Sequence, residues 1–434
     1  MNPLAKELNE AIAADNPAVL EMLSNLGKEL FMPKGILTQS AEAKEKAHKF
    51  NATIGIATEG AGPMYLPAIH AKLSAFAPKD LFPYAPNTGK PELRKLWKEK
   101  MVKENPSLAG KTISNPLCTN ALTHGLSLVA DMFVDRGDYI VLTDKFWGNY
   151  NLTFAVRCGG VMTPCNTFTP QGGFDVQALL NKTRECGKEK GKVIVLLNFP
   201  NNPSGYTPTA AEGKAIADGL VEIAESGVKI VAVTDDAYFS LFYEDSMTES
   251  IFGLIANRSK NLLAIKLDGA TKEEFVWGFR VGFITFAASA PGADANLLTA
   301  LEKKVAGDIR GTISNCPHPS QTFVIDILQN PEFPAQKRQK YEILKVRALT
   351  VKEVLKTGNY GDQFEFYPFN SGYFMCLKLK NVEAEPLRVH LLNQYGVGTI
   401  SVNKTDLRIA FSSVEADQIQ ELFDIIYQGC KDLA

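Results

Sequence analysis

Short, nearly unbroken runs of apolar and β-branched residues recur through the middle of the chain: DYIVLTD at 138–144, KVIVLLNFP at 192–200, VKIVAVTDD at 228–236, NLLAIKLD at 261–268 and VGFITFAA at 281–288. None of them alternates apolar with polar, so each predicts a strand covered on both faces. Between them, PELRKLWKEKMVKE at 91–104 and AAEGKAIADGLVEIAES at 210–226 carry apolar residues at helical spacing with charges on the opposite face. The alternation from about Asn51 to Ala290 predicts an α/β fold with a large, mostly parallel sheet flanked by helices. In such sheets binding groups collect beyond the C-terminal ends of the strands.

A long helical pattern, EFPAQKRQKYEILKVRALTVKEVLKTG, follows Asn330 and leads into a stretch where helices and strands mix. Residues 51–330 are therefore expected to form a large domain, and 1–50 with 331–434 a smaller α+β domain drawn from both termini. The charge run KTRECGKEKGK at 182–192 reads as a solvated helix end rather than a binding patch. No internal repeat or low-complexity tract is visible.

Composition narrows the classes. With 46 Lys+Arg against 48 Asp+Glu the formal charge is −2, which leaves no basic excess for a nucleic-acid backbone. No apolar run approaches the ~20 residues of a membrane helix, and the N-terminus lacks the basic and apolar regions of a secretory signal. Seven cysteines without a C-x-x-C pair fit reduced thiols and a cytoplasmic location. Five histidines without H-x-x-x-H spacing predict neither a metal site nor a histidine-based triad.

Three strand ends carry candidate chemistry. NNPSG at 201–205 follows the run ending in NFP; it is either a plain turn or a rigid mount for the Asn202 amide. TDDAY at 234–238 places acids at a sheet rim, where Asp235 either caps the strand or faces a cation, with Tyr238 three residues on. DGATKEEFVWGFRVGF at 268–283 offers Lys272, which is a surface amine in a charged turn or, held in a pocket, a nucleophile of lowered pKa. Arg280 presents a fork of donors suited to phosphate, and Gly278 and Gly282 leave room for a ligand or backbone to approach closely. Each signal is weak alone; their order at three successive strand ends joins an amine, a phenol, an acid and a phosphate clamp. No nucleotide-binding glycine motif occurs at any strand end.

In this arrangement the sequence resembles the fold-type I pyridoxal-phosphate enzymes, and within them the aspartate/aromatic aminotransferase family (class I), over about Gly55 to Arg408. The resemblance implies pyridoxal 5′-phosphate as cofactor, bound to Lys272 as a Schiff base. It implies Asp235 at the pyridine nitrogen, Asn202 and Tyr238 at the ring hydroxyl, Arg280 and Thr271 at the phosphate, and Trp147 of KFWGNY stacked on the ring. Lys272, Asp235 and Tyr238 are the catalytic set. Arg408 of DLRIAF matches the grip on the substrate α-carboxylate, and Gly55 falls beside the substrate. Arg310 of IRGTISN matches an arginine that reaches from the neighbouring subunit to a distal carboxylate. Tyr84 of FPYAPNTGKPELRKLW matches a phosphate contact from that subunit, which implies a homodimer with shared sites. The implied reaction moves an amino group between an L-amino acid, aspartate/glutamate or aromatic, and a 2-oxo acid; β-lyase or decarboxylase action is the alternative on the same scaffold. Two departures stand out. Gly269 replaces a hydroxyl residue three positions before the lysine. The phosphate cradle reads TNALTHG at 119–125, leaving the backbone N–H groups of Ala121 and Leu122, with Thr123, to do that work.

Overall fold

The computed structural model describes residues 1–15, 23, 28, 36–53, 55–60, 62–72, 75–288 and 294–434; much of the segment expected to begin the smaller domain, 16–22, 24–27 and 29–35, lies outside the described residues. The apolar runs are strands. β1 (Leu117–Asn120), β2 (Tyr139–Thr143), β3 (Val161–Cys165), β4 (Lys192–Asn198), β5 (Lys229–Asp235), β6 (Leu262–Asp268) and β7 (Val281–Ala287) form a seven-stranded sheet in the order β1-β7-β6-β5-β4-β2-β3. Strands β2 to β6 pair in parallel.

Strand β7 departs from the expected pattern, running antiparallel to both β6 and β1. The connection 269–280 holds one α-turn, Ala270–Glu273, and one 3-10 turn, Trp277–Phe279, so the chain folds straight back instead of crossing over. This reversal sets the start of β7 beside the C-terminal ends of its neighbours. Two strands have no counterpart among the apolar runs. β1 is four residues long, and β3 is an edge strand, half exposed and carrying Pro164.

The central strands are buried on both faces, as their unbroken apolarity requires. Ile194 and Leu196 of β4 join one core cluster, while Val193, Val195 and Leu197 join a second. α1 (Pro91–Glu104) joins the core of the first face through Leu93 and Trp97, and α2 (Ala121–Phe133) covers that face through Leu122, Leu126 and Val129. On the second face lie α3 (Val176–Lys190) and α4 (Ala210–Glu225), through Leu179, Ile216 and Leu220. Thr209 and Glu212 close a capping box at the start of α4. Gly191, at φ 72°, ends α3, whose last residues are the solvated charge run.

A second sheet, β8 (Phe364–Phe366), β9 (Phe374–Leu379), β10 (Ile400–Ser401) and β11 (Asp406–Ala410), is antiparallel in the order β8-β9-β11-β10. The long helix α5 (Phe333–Thr357) leads into it. Phe50–Asn51 pairs in parallel with Val397–Gly398, so the early chain meets the late chain. No described helix is long and apolar enough to cross a membrane.

Candidate active site

The ends of the parallel strands and the β9–β11 face enclose a cavity of about 360 Å³. Lys272, Asp235, Tyr238, Asn202, Arg280 and Arg408 line it, drawn from four separate segments of the chain. Ala121, Leu122, Thr123, Trp147, Thr271 and Gly55 line it as well. Tyr84 and Arg310 do not. They share a surface depression of about 770 Å³ with Asn87 and Ser314, where Tyr84 is 91% exposed and Arg310 bonds to Ser314 Oγ at 2.6 Å.

Lys272 sits on the α-turn after β6, its ammonium 4.7 Å from the centre of the Tyr238 ring. Burial lowers its pKa from 10.5 to about 8; the Asp235 carboxylate opposes that shift and the Arg280 cation adds to it. The TKEE turn is therefore not a surface turn. Glu273 and Glu274 are 1% and 0% exposed. Lys100 reaches Glu273 at 2.6 Å and Lys337 reaches Glu274 at 3.2 Å, so two helices anchor the turn from behind. Because the free amine loses its proton near pH 8, acylation of Lys272 by acetic anhydride in coenzyme-free protein should be half-maximal near that value. Peptide mapping would show it; a midpoint near 10.5 would place the amine in water.

Asp235, the last residue of β5, accepts the Tyr150 hydroxyl at 2.6 Å and the Ala237 N–H at 3.2 Å. Burial raises its carboxyl pKa, while the Tyr150 bond and the Lys272 charge work against that rise. Its neighbour Asp236 points elsewhere, to the buried ammonium of Lys266. Asn198, closing β4, ties two strand ends together by donating to Asp235 O at 2.8 Å and accepting from Asn202 N at 2.8 Å. Asn202 Oδ1 in turn accepts from Arg408 at 3.1 Å. The Asn202 amide nitrogen and the Tyr238 hydroxyl face the cavity without hydrogen-bond partners among the described residues.

Arg408 is 2% exposed, lies over the Phe374 ring at 4.1 Å and donates to Thr53 O at 2.9 Å. Its Nε is buried without a partner, and among the described residues it pairs with no acid. Burial lowers its pKa. Arg280, at φ 54° and half-buried, donates to Trp277 O at 3.2 Å and likewise meets no acid among the described residues. Trp147 is half-buried and packs edge-on to Tyr150 at 5.7 Å.

Two glycines fix the tight packing where β7 begins. A Cβ on Gly269 would stand 2.6 Å from Val281 O and 2.7 Å from Gly282 Cα, so the tight reversal into β7 leaves no space for a hydroxyl side chain there. A Cβ on Gly282 would stand 2.9 Å from Ala121 Cα, which brings the start of β7 against the start of α2. Gly278 has open space around it, with no backbone among the described residues approaching it closely. The first turn of α2 has no side-chain cap, leaving backbone donors for an anion.

Sequence reasoning missed Tyr150, Asn198, Thr53 and Phe374. Tyr150 had a signal, since it lies one helical turn after Trp147. Asn198 had one in closing an apolar strand four residues before Asn202. Thr53 and Phe374 had none, because only the meeting of distant segments brings them to Arg408.

The family profile described as aminotransferase class I and II matches residues 48–426. The chain belongs to this family. Members of the class I aminotransferase family use pyridoxal 5′-phosphate. Among curated relatives, the chain is 26% identical over 276 residues to a probable aspartate/prephenate aminotransferase of Aquifex aeolicus, covering 63% of each. It is 27% identical over 278 residues to an aspartate aminotransferase of Pyrococcus horikoshii, covering 62% of each. The match thus spans less than two thirds of those relatives' length. An aminotransferase from Anaerococcus prevotii superposes with a TM-score of 0.82 at 21% identity, over 94% of this chain and 98% of that one. The aspartate aminotransferase of Thermus thermophilus with maleate gives 0.72 at 18% identity, over 94% and 99%. The aminotransferase fold is therefore shared almost end to end.

Whether the class I cofactor suits this cavity can be tested on charge. Among the described residues lining it, Lys272, Arg280 and Arg408 are basic and Asp235 is the one acid. Two guanidinium groups without acidic partners, an uncapped helix start and an unpartnered phenol suit a ligand bearing a phosphate, a ring oxygen and a second anionic group. The residues fit.

Proposed function

We propose that the protein is a pyridoxal-phosphate-dependent aminotransferase that moves an amino group between an L-amino acid, aspartate/glutamate or aromatic, and a 2-oxo acid. The observation that carries this reading is the cavity in which a depressed lysine amine, a buried aspartate and two unpaired arginines converge. When bound, pyridoxal 5′-phosphate supplies an aldehyde that exchanges with amines and a protonated ring that withdraws electrons from the substrate Cα. The chain's own residues do the rest.

Arg280, Thr271, Thr123 and the Ala121 and Leu122 N–H groups would hold the phosphate, and Trp147 would stack on the ring. Asp235 serves the ring nitrogen as a fixed anion, which keeps it protonated. Tyr238 and Asn202 donate to the ring oxygen. Arg408 grips the substrate α-carboxylate and so turns the Cα–H toward Lys272. Lys272 Nζ would then take the Cα proton and return that same proton to the carbon of the coenzyme's aldehyde, so that it is conserved. Tyr84 and Arg310 lie outside this cavity, exposed, as residues lent to a second copy would be; a homodimer with shared sites follows from that reading. The described residues of 1–50 are assigned with 331–434 to a smaller domain, a division supported by the pairing of Phe50–Asn51 with Val397–Gly398. The seven free thiols agree with a cytoplasmic location. β-Lyase or decarboxylase action has less support, since the curated relatives are named as aminotransferases.

The test mixes coenzyme-loaded protein with aspartate, glutamate, phenylalanine, tyrosine and alanine and follows the visible absorbance of the bound coenzyme. The expected result is bleaching by at least one of them with release of one oxo acid per site. Protein that takes up no coenzyme overturns the reading. Release of ammonia with pyruvate, or of carbon dioxide, turns it to the lyase or decarboxylase.

A further inference from the structure

Beside Arg408 lies a second buried charge, not part of the cavity lining. Asp406 sits two positions earlier on β11 and is 1% exposed. Residues so spaced share one face of a strand and stand about 6–7 Å apart. Cys376 faces Arg408 across the β9–β11 register and bonds through its thiol to Pro203 O at 3.3 Å, so this face packs on the NNPSG turn. The Asp406 carboxylate and the Arg408 guanidinium share this face without pairing. Lys145 takes Asp406 instead, at 3.1 Å, reaching across from the loop after β2 that also carries Trp147.

Lys145 is itself buried. It also meets Asp144 at 3.0 Å and lies over the Tyr367 ring at 4.5 Å. Asp406 accepts from Tyr367 Oη at 3.0 Å, Asn403 Nδ2 at 2.8 Å and Thr405 Oγ1 at 3.1 Å. Its position is thus fixed by neutral donors, and what Lys145 adds is charge.

We propose that Lys145 is a positioning residue that keeps Arg408 available to a substrate carboxylate by neutralising the neighbouring buried Asp406. The proposal rests on the reading of the cavity given above. Without the ammonium, Asp406 competes with the incoming carboxylate for the positive potential of Arg408, and in a poorly solvated site that competition is felt over several ångströms. The effect is one-sided. Removing Lys145 leaves an uncompensated acid two positions from Arg408 on the same strand, whereas removing Asp406 leaves Lys145 with Asp144 and no buried acid beside Arg408.

The test measures succinate affinity of the coenzyme-loaded protein by calorimetry, together with KM and kcat for the best amino donor. Lys145→Met should weaken succinate and raise KM by about tenfold or more, with kcat within about threefold. Asp406→Asn and the double variant should stay within about threefold of the parent, because neither buries an unmatched acid. A purely structural bridge would make both single variants equally poor, and that result, or an unchanged Lys145→Met, overturns the proposal. Should Lys145→Met not fold, Lys145→His takes its place, with succinate affinity expected to fall as pH rises and the imidazole loses its proton. Affinity that stays flat with pH then counts against the proposal. An absence of transamination in the parent protein would sink the functional reading instead; the succinate comparison stands apart from turnover.

Discussion

Replacing Lys272 by alanine is expected to stop amino-group transfer while leaving the fold in place. The amine is the one basic group in the cavity whose pKa lies near neutrality, about 8, so among the lining residues it alone is suited to take and return a proton under ordinary conditions. A positioned acid–base is worth roughly 10²- to 10⁴-fold in rate, and the loss here should be at the upper end, because in the proposed mechanism the same nitrogen would also hold the coenzyme. Folding should survive, since the side chain opens onto a cavity and the turn is anchored by Glu273 and Glu274 rather than by Lys272. The checks are turnover, circular dichroism and thermal unfolding on one preparation. A Lys272→Ala protein that still transaminates at near the parent rate removes the lysine from the mechanism; one that fails to fold shows that the turn depends on it.

The second large effect falls on Asp235. Asp235→Asn keeps the size and shape of the side chain and lets its oxygen still accept from Ala237 N, but it sets an NH2 donor against the Tyr150 hydroxyl, which must then accept, and it removes the anion. The expected loss is roughly 10²- to 10³-fold in kcat, the scale of removing one group preorganised against developing charge. Coenzyme uptake should persist, because Arg280, the α2 terminus and Lys272 are untouched. Absorbance of the bound coenzyme reports uptake, and single-turnover bleaching with the best donor reports the chemistry. Normal bleaching in Asp235→Asn would mean that the carboxylate does not serve the ring nitrogen and that its burial beside Tyr150 is structural.

Much of this arrangement was legible along the chain, for a definite reason. A strand buried on both faces has no polar positions to spare, so the first polar residues after it mark where it leaves the core. Asn202, Asp235 with Tyr238, and Lys272 each stand just past such a run, and the structure brings all of them to one cavity. What local pattern could not convey was exposure. TKEE reads as a solvated turn because two glutamates follow a lysine; it is buried because Lys100 and Lys337 arrive from helices far away in sequence. Nor does any local signal predict that VGFITFAA runs backward, though that reversal carries Arg280 to the site and forces glycine at 269.

The sequence by itself determined which segments become buried strands, which residue types stand at their ends, and hence a cavity built around an amine, an acid and a phenol. These follow from hydrophobic periodicity and turn chemistry, which act over a few residues. Only the tertiary structure decided the charges those groups carry and whom they pair with. Lys272 loses its proton near pH 8, Asp235 bonds to Tyr150, Arg408 meets no acid among the described residues and Lys145 takes Asp406. Burial and pairing depend on atoms brought together from opposite ends of the chain, and desolvation and Coulomb energy depend on distance in space, which spacing along a sequence does not encode.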